Sequence, residues 1–476
     1  MTVILAIDQG TTATKAVVIG AGGEVLAHAS QSVATAALPG GGMEQDPEEI
    51  WRTVLGAGTE ATARSGRRID AVALATQGES VMASDPDTGA PLSALITWQD
   101  RRAEGICRTL DSHAGRLAEA TGLRLSSYFT APKLAWLRED VTRDGVVSTI
   151  DAWLLNRMTG RFVTDAATAS RSLLVDLAGG TWNRELVGLF GLDGERLPEI
   201  VGNDEVVGET SLFGRPVPVA GVILDQPSAL LAQNCLDAGQ TKVTYGTGAF
   251  LLANVGARPP HRPRLTCSTA WQVGGRRTFC VDGQVFSCAT ALSWLVGIGV
   301  LDRVDRLDEF CAATPGGAVF VPGFDEAAGA RLTGLDLATN RGQVVAAVVY
   351  GIAASIAELY ALTGLDVELL QVDGGLSNSR ALLQAQADLL QIPVRAYHGA
   401  HATAQGAAAL ARVALDGQRT IELELDVGAG RARNEPVRPR WSARQAADYR
   451  ARWRDAAGGR HSPAATTALP VSRAQR

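Results

Sequence analysis

"AIDQGTTATKAVVI", residues 6–19, holds two apolar runs around a short polar bend. The first run ends at Ile7 and meets Asp8. Gly10-Thr11-Thr12 follow, and then Ala16-Val17-Val18-Ile19. The spacing predicts a strand, a tight turn and a second strand, Ile4–Ile7 and Ala16–Ile19. A glycine in such a turn lets the backbone approach a ligand. Successive backbone N–H groups and threonine hydroxyls there suit phosphate oxygens. Asp8 is placed to hold Mg²⁺ through water, because Mg²⁺ gives up its waters reluctantly. Lys15 adds a positive charge. One such turn is weak evidence of phosphate binding, since short motifs match falsely and plain Gly-Thr hairpins are common.

Working outward, Gly20–Gly23 makes a turn and Val25–His28 reads as a third strand. In "EQDPEEIW" (44–51), Asp46 is a good N-cap, Pro47 suits the first helical position, and Glu48 and Glu49 favour the positive helix end. A helix over 47–64 is expected, followed by a buried strand in "IDAVALAT" (69–76). Strand, strand, strand, helix, strand implies an α/β domain with a mixed sheet. Further on, "STIDAWLLNRMTG" (148–160) reads as a helix ending at Gly160. "TDAATASRSLLVDL" (164–177) reads as a loop and then an extended stretch. Pro216–Val222 reads as a strand leading into "LDQPS".

The opening pattern then returns. "TKVTYGTGAFLLANVG" (241–256) has a strand, the turn Gly246-Thr247-Gly248 and a second strand. This internal repeat, half a chain away, suggests a duplicated α/β domain. Two such turns facing across a cleft would clamp a triphosphate. The second half continues with a long helix over 341–363, a strand at 367–373 and a helix over 378–390. "VDGGLSNS" (372–379) puts Asp373-Gly374-Gly375 between them, where a flat ligand can approach the backbone and a helix N-terminus favours polar groups.

The bulk properties agree. At 476 residues the chain is too long for one ordinary core, which predicts two domains. Apolar residues at 46% and charged residues at 20% fit a globular protein. A net charge of −6 argues against a nucleic-acid partner. The six cysteines form no Cys-x-x-Cys pair and have no histidine cluster beside them, so reduced thiols and a cytoplasmic setting are expected. No basic segment with a long apolar stretch opens the chain. The apolar run near 344–357 has the length of a core helix and is short for a bilayer, so no membrane partner is expected.

Taken in order, these stretches resemble the FGGY family of carbohydrate kinases, within the actin-like ATPase fold, and most closely its glycerol kinase branch. "TWQDRR" (97–102), "SYFTAPKLAWL" (127–137), "DAWLLNRMTG" (151–160), "TDAATASR" (164–171) and "ATAQGAAALA" (402–411) add to it. The resemblance implies an α/β fold of two actin-like, ribonuclease H-like domains with a cleft between them. The expected division is 1–235 for the polyol, 236–430 for the nucleotide, and a partly disordered extension over 431–476. It implies ATP and Mg²⁺, with Asp8 by the metal. Thr11, Thr12, Lys15, Gly246 and Thr247 would lie along the phosphates, and Gly374, Gly375, Asn378 and Ser379 by the adenosine. Asp225 looks like the catalytic base, and Glu79, Trp98, Tyr128, Asp225, Gln226 and Phe250 would line the polyol pocket. The physics agrees: transfer to an alcohol needs charge neutralisation, positioning and a group to take the hydroxyl proton. A homodimer is compatible with this reading.

The sequence also departs from that branch. Gly78 stands where glycerol kinases carry an arginine that contacts glycerol, so weaker glycerol binding and room for a longer polyol or a ketose are expected. "LDQPS" replaces "GDQQ", and Ala289 and Ser293 stand where a Gly and a Gln lie near the nucleotide. "FGRPVPV" (213–219) is shorter than the loop that binds an allosteric sugar bisphosphate, so that regulation is expected to be absent. Glycerol is the first acceptor to consider, with a tetritol or pentulose next, as in an erythritol kinase or a xylulokinase. The rivals are a non-catalytic actin-like conformational protein and a degenerate kinase that senses a sugar.

Overall fold

The computed structural model describes residues 2–246, 248–260, 265–285, 287–324, 329–397, 399, 401–417, 421 and 435–458. Two six-stranded mixed sheets form its two lobes. In the first, Ile4–Gln9 pairs antiparallel with Ala13–Ile19, in the register Asp8 opposite Lys15, and parallel with Ala71–Thr76. Val25–Ser32 extends the hairpin on one side, and Val217–Leu224 lies parallel to Ala71–Thr76 on the other. Ile4–Ile7 and all of Ala71–Thr76 are buried, as central strands covered on both faces must be.

The helix Pro47–Ser65 begins where its sequence says. The Asp46 carboxylate accepts from the Glu48 N–H, and Gly66 ends the helix at φ 59°. It packs on one face of the sheet through Ile50, Trp51, Val54, Ala57 and Ala61. The other face is covered by Ala402–Leu415, a helix from late in the chain that returns to pack against Ile4, Ala6, Ala71, Ala73 and Ala220. It crosses Asp225–Ala232 at very short range: a Cβ on Gly406 would stand 2.2 Å from the Ser228 carbonyl oxygen.

The second sheet repeats the first. Thr241–Tyr245 pairs antiparallel with Ala249–Gly256 and parallel with Leu370–Asp373, which lies parallel to Val394–Ala396. Arg276–Val285 continues the hairpin, and Thr266–Val273 adds one strand at that edge. The weak repeat in the sequence is therefore a real duplication of topology.

Helix Arg341–Thr363 starts at a capping box of Asn340 and Gln343. By length and composition it could cross a membrane, which corrects the sequence estimate, but most of it is buried in the second lobe's core. Helix Ala443–Ala457 inserts Tyr449 and Trp453 into the same core, so part of the 431–476 extension is structured. Residues 459–476, the rest of the expected disorder, lie outside the described residues.

Two features differ from the sequence reading. The stretch 164–177 is a strand, Val163–Asp165, followed by a short helix, Ala166–Ser170. Asp165 caps that helix through the N–H groups of Ala167 and Thr168, and Arg171 follows at its C-cap. The first lobe also carries a five-stranded subsheet built from Ala36–Leu38, Gly42–Gln45, Leu95–Ile96, Val81–Ser84 and Val146–Thr149. These strands are too short to show an alternation in the sequence.

Candidate active site

Three parallel strands of the first lobe end side by side. Asp8 lies opposite Ala75, and Leu224 opposite Thr76. Their carboxyl ends therefore deliver Asp8, Gln77 and Asp225 to one edge, where ligands bind in open α/β sheets. A cavity of about 230 Å³ opens there. It is lined by Thr11, Glu79, Trp98, Tyr128, Asp225 and Gln226 from the first lobe and by Phe250 from the second hairpin. All six residues expected to form a polyol pocket meet in this one cavity, and a residue from each hairpin borders it.

Asp225 is the first residue of the helix Asp225–Ala232, and its Oδ1 accepts from the Gln226 N–H at 2.6 Å. Burial, with the negative charges of Asp8 and Glu79, pushes its carboxyl up to about 7. Lys242 opposes that rise. The Lys242 ammonium is fully buried on the first strand of the second lobe and donates to Gln226 Oε1 at 2.9 Å and Thr244 Oγ1 at 2.8 Å. It thus ties Gln226, the neighbour of Asp225, to the other lobe. Asp8 is raised to about 6 by burial, with Lys15 pulling it down.

Glu79 takes a left-handed backbone at φ 54°, a strained conformation for a non-glycine residue. Its carboxylate is held by the Nε of Arg171. Arg171 reaches on to Asp282 of the second lobe at 2.8 Å and lies 5.8 Å from the centre of the Tyr128 ring. Trp98 packs edge-on to Tyr128 at 5.8 Å and donates to Thr11 Oγ1 at 2.8 Å. Thr11 in turn donates to Gln77 Oε1 at 3.2 Å, and Gln77 also binds Gln9 and Gln45. The first glycine–threonine turn and the aromatic wall of the cavity are therefore one hydrogen-bonded unit. Behind Tyr128, the buried Lys133 donates to the carbonyls of Ser127, Tyr128 and Phe129 at 2.8, 2.5 and 2.7 Å. Burial draws its ammonium down to about 7.

Arg171, Lys242, Lys133 and Gln77 were absent from the sequence reading. Arg171 lay in a stretch read as loop and extended chain, and polar residues placed among apolar ones are the general signal for such buried groups.

In the nucleotide half, Thr12 is exposed on the first turn and Lys15 on the strand that leaves it. The second turn closes with Gly246 N–H on the Gly248 carbonyl at 2.8 Å. Thr247 lies outside the described residues. Gly374 follows the strand next to that hairpin at φ 89°, and a Cβ there would meet the Tyr245 carbonyl oxygen at 2.3 Å, so glycine is required. Gly375 faces open space. Ser379 caps the helix Arg380–Leu390 on the Leu382 N–H and donates to Asp308, while Asn378 stays exposed. The structure thus gives Ser379 a capping role.

One expectation is corrected. Gly78 does not open space in the pocket: a Cβ there would lie 2.7 Å from Leu224 Cδ1, and Leu224 is 3% exposed. The leucine of "LDQPS" has filled the room.

Among the described residues no group of three or more His, Cys, Asp or Glu forms a metal cage. Mg²⁺ needs none, since it binds through one or two carboxylates, waters and substrate phosphates. Asp8 and Asp225 are each raised by burial, with the Asp8 charge adding to the rise at Asp225, and such carboxylates suit a hydrated divalent ion.

Two lobes of one topology, closed on a carboxylate-lined crevice, define the actin-like ATPase architecture. The chain belongs to the FGGY family of carbohydrate kinases, whose N-terminal domain matches residues 3–232 and whose C-terminal domain matches residues 241–415. It is 38% identical to the glycerol kinase of Alkalilimnicola ehrlichii over 88% of this chain and 92% of that one. It is 38% identical to the glycerol kinase of Thermus brockianus over 86% and 89%. Among solved structures, glycerol kinase of Plasmodium falciparum with ADP superposes with a TM-score of 0.91 at 24% identity, covering 96% and 98% of the two chains. Xylulose kinase of Lactobacillus acidophilus gives 0.87 at 20% identity, covering 98% and 99%. These last two likenesses concern the fold.

Proposed function

We propose that the protein transfers the γ-phosphoryl group of ATP to a terminal hydroxyl of a small polyol, with glycerol as the first acceptor and glycerol 3-phosphate and ADP as products. The observation that carries this reading is the cavity itself. It puts a half-buried aspartate, an acidic partner, a carboxamide and three aromatic rings around a space of polyol size, bordered by both hairpins.

Asp225 is the general base. Its carboxylate takes the proton of the attacking hydroxyl, and a value near neutrality suits that task. Glu79, held by Arg171, and Gln226, held by Lys242, orient the remaining hydroxyls. Trp98, Tyr128 and Phe250 cover the carbon edge and exclude water. Thr11, Thr12 and Lys15 from one turn, with Gly246 and Thr247 from the other, hold the phosphates. Gly374, Gly375 and Asn378, beside the capping Ser379, face the adenosine. Asp8 is the carboxylate that holds Mg²⁺, which when bound neutralises phosphate charge. The six free cysteines suit a reducing, cytoplasmic setting.

The test is an ATP-consumption assay over glycerol, erythritol, threitol, pentitols and pentuloses. Turnover of one of them well above the acceptor-free rate is expected. ATP binding with no acceptor-dependent turnover would replace this reading with that of a conformational or sensing protein.

A further inference from the structure

On the first-lobe wall of the pocket, where the resemblance expects an arginine, the space beside Gly78 is taken by the Leu224 side chain, which offers no hydrogen bond. A polar acceptor end then needs a partner elsewhere. Gln284 lies on Arg276–Val285, directly opposite Phe250 in the antiparallel register, so both side chains project from the same face. Asp282, two residues earlier, shares that face and holds Arg171. Gln284 lines the cavity, and its Nε2 donates to the Tyr128 hydroxyl at 3.3 Å. Its Oε1 is buried and has no hydrogen-bond partner among the described residues. A buried carbonyl oxygen without a donor costs free energy that a bound hydroxyl recovers.

We propose that Gln284 is a specificity-determining residue: its amide oxygen accepts from the acceptor hydroxyl most remote from Asp225, in a pocket whose first-lobe wall Leu224 has closed. The inference rests on the kinase reading above. It names the acceptor class as a polyol with a free hydroxyl at the far end, read from the second lobe and not from position 78.

The experiment pairs each acceptor with an analogue lacking that hydroxyl: glycerol with 1,2-propanediol, and erythritol with 1,2,3-butanetriol. For the wild-type enzyme, kcat/KM should favour the full polyol by about tenfold or more, the worth of one hydrogen bond to a buried group. In Gln284→Leu, which keeps the volume, that ratio should fall to within about threefold, with KM rising more than kcat falls. Gln284→Asn, one methylene shorter, should keep part of the preference and serves if the leucine variant does not fold, as read from its melting curve. A variant that folds and keeps the wild-type ratio overturns the proposal while leaving the kinase reading intact. A wild-type enzyme that phosphorylates no polyol overturns the kinase reading, and the proposal with it.

Discussion

The chemistry turns on one carboxyl. Asp225 is raised to about 7, above the ordinary carboxylate range, by burial and by the charges of Asp8 and Glu79. The active form is the carboxylate, so kcat/KM should rise with pH through about 7 and then level. Lys242 lowers the carboxyl, and Lys242→Met should move the rising limb to higher pH, as a pH–rate series would show. Asp225→Asn should cut transfer by about 10²-fold or more, the usual contribution of a general base, while ATP affinity measured by calorimetry stays near wild type. The same variant should gain stability. A carboxyl raised in the folded state contributes stability below its unfolded value, and that contribution is lost as pH rises through the folded value. The ligand-free asparagine variant should therefore melt above wild type at pH 8 and lose that advantage near pH 4. An unchanged melting temperature at pH 8 would count against a desolvated, charged Asp225. Asp225 and Trp98 were legible because they sit in motifs, LDQPS and TWQDRR, whose residue types match the proposed chemistry, and Glu79 because it follows a buried strand next to Gly78. Arg171, Lys242 and Lys133 were not, because each acts by filling a buried hydrogen-bond demand that only the folded packing creates. Gly78 shows the limit of reading one position alone: its meaning depends on Leu224, 146 positions later.

Elements were readable where local rules act alone. The Asp46–Pro47 start and Gly66 end of the first helix, and both hairpins, follow from capping and turn chemistry. The helix at Ala166–Ser170 and the two- to four-residue strands of the subsheet were not readable, because their period is shorter than any window that could reveal it. The helix Ala402–Leu415 was visible as an alanine-rich stretch, but its destination under the first sheet is a tertiary fact. Small residues make that crossing possible. Gly221, at φ 67°, meets the Ala407 carbonyl, and Gly406 meets the Ser228 carbonyl. Gly406→Val would force the two helices apart and should cost about 1–3 kcal/mol, as overpacking does. A urea titration checks it through a lower midpoint at unchanged slope. The adjoining Asp225 should shift as well, so a loss of kcat beyond the loss of folded protein is expected.

At the scale of the whole molecule, the duplicated lobes pose one problem: water is always present as a rival to the polyol. Excluding it needs a site completed only when both lobes meet on the acceptor. The contacts that join the lobes at the pocket run through side chains already tied to the acceptor wall. Arg171 links Glu79 to Asp282, and Lys242 links Gln226 to the second sheet. The proposed polyol wall and the interlobe contact share these side chains, so occupancy of one should be felt by the other. Arg171→Met tests this. It leaves Glu79 and Asp282 buried without their cation, and breaking such a pair typically costs about 3–5 kcal/mol. That loss should appear in a denaturant titration. A merely structural role would end there, with transfer and acceptor-free ATP hydrolysis falling together. If the bridge couples the pocket to closure, the ratio of hydrolysis to transfer should rise severalfold in the folded fraction, measured by product analysis at saturating ATP. A ratio equal to wild type would mean that the lobes close without help from the acceptor wall, and that water is kept out by the aromatic rings alone.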